Sequence, residues 1–339
     1  MKPRRILIIR PDRIGDVVLT TPLIKAVKDS FPGSFVGVLV HTKVVPLLEH
    51  NPSIDVIITD DPDGKDSGRS GFWRQVSALR NYHFDTGLMP LPRERHAWMM
   101  LLAGISTRIG VGTKLYQVLT GMKSVASRRY GTNRHEADYV MDLGRKIGLT
   151  TNTLIPEIFI TDEEKKEAGT ILTNFGFNLS QPIIGINPGS NRSCPNWLPD
   201  RYAELTDRLR STYQIVVNLG PTESSMKEYF DRFDDVFIYQ SDDLRGLIGL
   251  CSRLSILVSS STGTTHIASA LKIPTITLFC TLQACAPERW GPLGNRSIIE
   301  TPPVDYCQIR CPGNPKICNF EEIPIDGVVH HIHKLVQGG

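Results

Sequence analysis

The feature that most limits what this chain can become is a repeated beat of short apolar runs separated by segments of helical period. In the first half the runs fall at 6–9, 35–40, 56–58, 86–89 and 108–111. Helical periodicity lies between them near 16–30, 42–50, 70–81, 94–104 and 134–148. Runs that are apolar throughout mark strands covered on both faces, so the alternation predicts a parallel sheet with helices on either side. A connecting stretch follows at 148–156, and then a helix from Thr161, with Thr161 and Glu164 at capping-box spacing. The beat restarts at Ile183, with strands expected at 183–187, 214–219, 236–239, 256–259 and 275–279. Helices fit near 200–212, 222–233, 243–253 and 263–271. Residues 281–325, rich in Pro, Gly and Cys, read as irregular. A last helix fits 326–336, capped by Asp326, with Val328, Ile332, Leu335 and Val336 on one face.

The expected fold class is therefore α/β, with two doubly wound Rossmann-like domains at 1–160 and 175–322. A C-terminal helix at 323–339 is expected to pack back toward the first domain. Two such domains facing each other make a central cleft, with the carboxyl ends of both sheets turned to it. The halves match in architecture and share no repeat of 20–50 residues.

Composition narrows the class of function. With 339 residues, 40% hydrophobic and 22% charged, the chain has the make-up of a folded protein of two ordinary domains. Seven cysteines are too sparse for a disulfide scaffold. The apolar run at 6–9 is too short for a secretory signal, and the longest apolar stretch, 97–105, is about half a membrane span. The expected location is cytoplasmic. Residues 1–150 carry 22 Lys+Arg against 14 Asp+Glu, and residues 151–339 carry 16 against 21. The basic front half suits an anionic ligand or an anionic membrane surface. No long basic run or zinc-finger spacing occurs, so duplex nucleic acid is disfavoured.

Five segments can carry chemistry. The first, Arg10-Pro-Asp-Arg-Ile-Gly-Asp16, leaves the first strand and enters the first helix, the edge where open parallel sheets bind ligands. Asp16 at a helix start reads as a general base or as a plain cap. The second, Asn187-Pro-Gly-Ser-Asn-Arg-Ser193, offers a small-residue turn and Arg192 to a diphosphate, or is a polar turn. The third runs from Ser259 through Thr262, Gly263, Thr264, Thr265 and His266 to Ala270, where exposed amides at a helix start suit a phosphate. It is no Walker loop, and neither a dinucleotide fingerprint nor a nucleophile elbow is present. The fourth, Cys307-x3-Cys311-x6-Cys318 with His330, His331 and His333 beyond it, lacks knuckle spacing and an obvious fourth ligand. No metal is assigned to it, and the histidines read as the polar face of the last helix. The fifth, Arg93-Glu-Arg95-His96, precedes the apolar 97–105 run and reads as a basic rim for an anionic acceptor, or as a helix start.

Together these segments resemble glycosyltransferase family 9, the bacterial ADP-heptose:lipopolysaccharide heptosyltransferases. The resemblance rests on R-P-D-R-I-G-D-V-V-L-T-T-P (10–22), D-T-G-L (85–88), R-I-G-V (108–111), N-P-G-S (187–190), L-G-P-T-E (219–223), S-S-S-T-G-T-T-H-I-A-S-A-L (259–271), P-E-R-W-G-P-L-G (287–294) and the Cys-rich tail. It implies the GT-B fold and inverting transfer of a sugar, heptose from ADP-heptose, to a lipopolysaccharide core or related glycan. By position it implies Asp16 as catalytic base. Donor binding falls to Ser190, Arg192, Glu223 (at the ribose), Ser261, Thr262, Gly263, Thr264, Thr265 and His266. Arg13, Arg93 and Arg95 are then the cations expected to hold an anionic glycolipid acceptor, with peripheral contact at the inner membrane.

Two positions depart from the family pattern. Ser261 stands where an Asp usually precedes the Thr-Gly, and Pro195 stands where a Lys follows the N-P-G-S turn. The losses are of opposite sign and leave the local charge balance near a diphosphate little changed. They weaken the case for Mg2+, and no cofactor is required. They also keep open a different nucleotide-sugar, or a nucleotide-sugar-binding protein of the same fold without transferase activity.

Overall fold

The computed structural model describes residues 4–126, 133–151, 153–190, 194–311, 313–314, 317–320 and 322–338. It divides into two units, Met1–Phe159 and Ile160–Gly339.

The first unit is built on six strands: β1 (Arg5–Ile9), β2 (Phe35–Val40), β3 (Val56–Thr59), β4 (Thr86–Met89), β5 (Thr107–Val111) and β6 (Lys123–Val125). Their order is β3-β2-β1-β4-β5-β6, and every pairing is parallel. In β1, Ile6 to Ile9 are fully buried, as a strand covered on both faces requires. Ile8 lies level with Val38 of β2 and Leu88 of β4. The helical segment near 16–30, where Pro22 suggests a fresh start or a kink at Thr21, is two helices, Ile14–Val18 and Thr21–Ser30. Pro22 lacks an amide, so the chain starts a fresh helix with Pro in its first turn. The segment expected as a helix at 42–50 is a 3₁₀ turn with Pro46 inside it. β6 and the short helix Leu115–Leu119 were not anticipated; β6 is an edge strand whose residues are half-buried or exposed, so no apolar run marks it.

The second unit repeats the plan. Its strands are β7 (Ile183–Asn187), β8 (Gln214–Leu219), β9 (Val236–Gln240), β10 (Ile256–Ser260), β11 (Thr275–Leu278) and β12 (Ser297–Glu300). Their order, β12-β11-β10-β7-β8-β9, is the order of the first sheet, again wholly parallel. In both sheets the order reverses beside the first strand, between β1 and β4 and between β7 and β10. Ligands bind outside the carboxyl ends of strands at such a switch point. The region 281–325, expected to be irregular, holds β12 and the helices Pro287–Trp290 and Val304–Arg310.

Two helices fall differently from expectation. Helix Asp162–Asn174, anticipated between the domains, belongs to the second unit, where Arg245 reaches Glu164. The terminal helix, expected to return to the first domain, buries Val328, Ile332 and Leu335 in the second unit's core with Ile256, Ile276 and Leu205. Asp326 is not its cap. Pro324 holds that position, and Asp326 sits in the first turn, paired with Arg208. The capping box at Thr161 forms as the spacing predicts: Glu164 N–H donates to Thr161 Oγ1 at 3.2 Å, and Thr161 N–H donates to Glu164 Oε2 at 2.7 Å.

Candidate active site

In the first unit the chain leaves β1 at Arg10 and turns through Asp12 and Arg13 into helix Ile14–Val18, with Asp16 in its first turn. Arg10 is only 1% exposed. A buried guanidinium is tolerated only where anions meet it, and three do. Nη2 donates to Asp16 Oδ1, Nε lies 2.9 Å from Asp12 Oδ1, and Nη2 lies 3.5 Å from Glu136 Oε1. Burial works against the Arg10 cation; the three carboxylates more than offset it and raise its pKa above the usual arginine value. Asp16 keeps 18% of its side chain exposed. One oxygen is thus anchored from within while the carboxylate remains reachable from solvent, an arrangement suited to a positioned base.

Across the same switch point, β4 leads into helix Glu94–Leu102. Arg93, its N-cap, is exposed, as is Arg13. Arg95 differs from the expectation of an acceptor-gripping cation. Its Nε and Nη2 each donate at 2.9 Å to the two oxygens of buried Asp60, and Nη2 also reaches the Asp66 carbonyl at 2.8 Å. His96 Nε2 meets Asp60 Oδ2 at 2.9 Å from the other side. Burial pushes the Asp60 carboxyl up, but the bonds from His96 and Arg95 override it and hold it below the usual carboxylate range. Arg95 therefore braces the unit through a bidentate pair.

In the second unit the small-residue turn follows β7 and the Thr-Gly turn follows β10, so both flank the switch point. The first is braced from within: Asn187 Nδ2 donates to Gly189 O at 2.8 Å, and Asn218 Nδ2 donates to Asn187 Oδ1 at 2.5 Å. Asn196 Nδ2 donates to Pro188 O at 2.5 Å and its Oδ1 accepts from Tyr202 at 2.7 Å. Glu223 folds over this turn. Its Oε2 accepts from Gly220 N–H at 2.8 Å, and a Cβ on Gly189 would overlap its carboxylate. Glycine at 189 leaves the room in which the Glu223 carboxylate sits; a larger residue would have to push that carboxylate aside. Ser190 and Glu223, expected at the donor, thus come together. With Trp197, Thr222, Met226 and Tyr229 they line a cleft of about 730 Å³, within the usual size of a small-molecule site. Arg192 lies outside the described residues.

In the third segment the backbone at 262–265 was expected to wrap a phosphate. The threonine side chains there serve the turn: Thr265 is fully buried, with its hydroxyl 2.7 Å from Ser259 Oγ and donating to Ser260 O at 2.7 Å. Thr264 is turned inward beside Gly185, Asn218 and Tyr239. These hydroxyls build the turn. What they leave at the start of helix Gly263–Ala270 is its first-turn backbone, with Thr262 as N-cap and Ser261 and Gly263 half-buried. His266 is buried to 4% exposure. Cys194 ties this turn to the cleft: it lines the cleft, and its Sγ lies 3.0 Å from the Ser261 carbonyl.

Cys307, Cys311 and Cys318 line one small cavity, joined by Cys280 from the end of β11. Burial pushes the Cys280 thiol up to about 11. Among the described residues no group of three His, Cys, Asp or Glu is arranged to hold a metal ion. Of the terminal histidines, His333 Nδ1 meets Tyr213 OH at 2.7 Å and His331 Nδ1 meets Glu300 Oε1 at 2.5 Å. Their roles are packing contacts of that helix. Among the described residues no helix is long and apolar enough to cross a membrane.

Sequence reasoning missed Glu136, which is 126 positions from Arg10 and leaves no local sign. It also missed the asparagine braces. Arg10 had a signal, a cation placed directly after a wholly buried strand.

Comparison with known proteins agrees with this geometry. Residues 72–307, more than half of the chain, match the family described as glycosyltransferase family 9 (heptosyltransferase). A Haemophilus influenzae protein with a provisional glycosyltransferase name is 26% identical, over 98% of this chain and 97% of its own length. The lipopolysaccharide core heptosyltransferase OpsX of that organism is 24% identical, over 82% of this chain and 79% of its own. Among solved structures, a family 9 glycosyl transferase from Veillonella parvula overlays with a TM-score of 0.84 at 20% identity, covering 99% of this chain and 98% of that one. E. coli ADP-heptose lps heptosyltransferase II overlays with a TM-score of 0.78 at 19% identity, covering 98% and 99%. The two doubly wound sheets are thus the GT-B fold. The chain belongs to glycosyltransferase family 9, the heptosyltransferases, and is a glycosyltransferase enzyme.

Proposed function

We propose that this enzyme transfers heptose from ADP-heptose to a lipopolysaccharide core acceptor, with inversion and with Asp16 as general base. The observation that carries the reading is the anchored yet solvent-reachable Asp16 carboxylate at the switch point of the first sheet. An acceptor hydroxyl oxygen attacks the anomeric carbon and forms the new glycosidic bond. Its proton passes to Asp16, a contribution of about 10²–10⁴-fold. The bond from the anomeric carbon to the diphosphate oxygen breaks, and ADP leaves with the electron pair.

The second unit holds the donor. Glu223 accepts hydrogen bonds from the ribose in the cleft it shares with Ser190, Trp197 and Met226. Charge that grows on the departing diphosphate is met by first-turn amides of helix Gly263–Ala270. The cation expected for the diphosphate from the sequence, Arg192, lies outside the described residues. Exposed Arg13 and Arg93 hold the anionic core of the acceptor, with the enzyme at the cytoplasmic face of the inner membrane. No metal enters the scheme, in keeping with Ser261 in place of a carboxylate.

The test is Asp16→Asn, followed by ADP release from ADP-heptose with and without a truncated core acceptor. ADP release only with acceptor, lost in the variant while calorimetric ADP affinity stays at the wild-type value, is expected. Near-normal transfer by the variant removes Asp16 from the role of base. Tight binding of ADP-heptose by the wild type without any release points to a different sugar or acceptor.

A further inference from the structure

The helix Leu115–Leu119, which follows the carboxyl end of β5, is inside out. Its polar residue is buried: Gln117 is 3% exposed, as is Thr120 beyond the helix at 1%. Its apolar residues face water: Leu115 is 75%, Val118 66% and Leu119 61% exposed. The inversion is held in place. Gln117 Nε2 donates to Val111 O at 3.1 Å, and its Oε1 accepts from Lys114 N–H at 2.8 Å. Thr120 Oγ1 donates to Tyr116 O at 2.7 Å, and Arg108 Nε donates to Thr120 O at 2.8 Å. Residues 115, 118 and 119 stand at i, i+3 and i+4, so they form one apolar face. A fold that spends buried hydrogen bonds to present three large aliphatic side chains is displaying a contact surface.

The charge around that face names its occupant. Between Glu94 and Glu136 the chain carries seven Lys and Arg and no Asp or Glu. Of these, Arg95 and Arg134 are engaged with carboxylates, while Lys114 and Lys123 are exposed on either side of the apolar face. Glu94 acts on Tyr116 of the same helix and is opposed there by Arg93, so with Lys114 and Lys123 the surroundings stay basic, and aliphatic side chains in such surroundings fit an anionic lipid surface. The apolar face enters the headgroup–acyl boundary, and the lysines meet lipid phosphates.

We infer that Leu115, Val118 and Leu119, with Lys114 and Lys123, form a docking surface for anionic bilayers. Its first residues, Lys114 and Leu115, follow the carboxyl end of β5, and the Asp16 turn follows the carboxyl end of β1 in the same parallel sheet, the edge to which a lipid-linked acceptor must come. The inference rests on exposure and charge and does not depend on which sugar is transferred.

The test is flotation of the purified full chain with vesicles of phosphatidylglycerol and phosphatidylethanolamine, against vesicles of phosphatidylcholine. Neither donor nor acceptor is present. The protein is expected to float with the anionic vesicles, less so at high salt, and the L115S/V118S/L119S variant to lose about tenfold or more in bound fraction. K114E/K123E is expected to lose binding without any change at the apolar face. The serine variant should keep its thermal midpoint and wild-type transfer to a water-soluble core oligosaccharide. No binding of the wild type to anionic vesicles overturns the inference, as does unchanged binding by the serine variant. A dimer in light scattering that the serine variant converts to monomer also overturns it, since the face then joins two copies of this chain. If the wild type floats but transfers no heptose, the docking surface stands and the donor assignment falls.

Discussion

Arg10 holds Asp16 from inside the protein: its Nη2 donates to Asp16 Oδ1 while the same nitrogen lies 3.5 Å from Glu136, a carboxylate with no exposure at all. The base of the proposed reaction is therefore oriented by a cation that is itself fixed by a residue 126 positions away. A lysine cannot reproduce this, because a single ammonium lacks the planar fork that serves several carboxylates at once. For Arg10→Lys the expected outcome is a kcat lowered by about 10²-fold with KM for the donor nearly unchanged. Arg10→Met leaves three carboxylates without their cation and should cost about 3–5 kcal/mol in urea unfolding. Wild-type kcat in the lysine variant means that Asp16 does not depend on Arg10 for its position.

Gly189 and Glu223 make a second pair whose fit is decided by space. A methyl at Gly189 overlaps the Glu223 carboxylate, so Gly189→Ala must displace one or the other. We expect a loss of about 1–3 kcal/mol in stability and weaker binding of ADP in calorimetry. The double variant G189A/E223A should regain the stability and not the ADP affinity. Recovery of both would place Glu223 outside the donor site.

The Thr161 capping box predicts a dependence on acid. The Arg245 guanidinium, helped by the Thr161 amide, holds the Glu164 carboxyl down to about 2, against an ordinary value of 4.5. A carboxyl with a depressed folded-state pKa adds stability that is complete above its unfolded value and fades as pH falls. The gap in stability between wild type and Glu164→Gln should therefore be constant near neutrality and shrink from about pH 4.5 toward 2. Thr161→Ala should cost about 1 kcal/mol at neutral pH. Denaturant titrations across that range check both, and a gap that does not change with pH removes Arg245 from the account.

Ile332 tests where the last helix belongs. It is fully buried in the second unit's core, so Ile332→Ala should lower stability by about 2–5 kcal/mol. Val329, only partly buried beside it, should tolerate Ala at a fraction of that cost. Equal, small effects at both positions would mean that the helix is not part of the core.

Much of the fold was legible in the chain because it is dictated over a few residues. Strands buried on both faces must be apolar throughout, and β1, β2, β7, β8 and β10 appear where such runs lie. The Thr161–Glu164 cap spans three positions and formed as read. β6 and β12 escaped because short strands at sheet edges, half in water, need no apolar run. The Asp326 cap failed because tertiary packing of Val328 and Ile332 set the helix start, and the aspartate turned to Arg208. At the site, sequence placed Asp16, Ser190, Glu223 and the Thr262-Gly263 turn at strand ends, since a parallel sheet leaves its binding edge in the loops that follow its strands. It did not place Arg95, whose partner Asp60 is 35 positions away, or reveal that Thr265 serves the turn. Those choices depend on which charges and hydroxyls meet when distant strands align. Nothing in a linear pattern selects between a cation that binds a ligand and one that a buried carboxylate has already claimed.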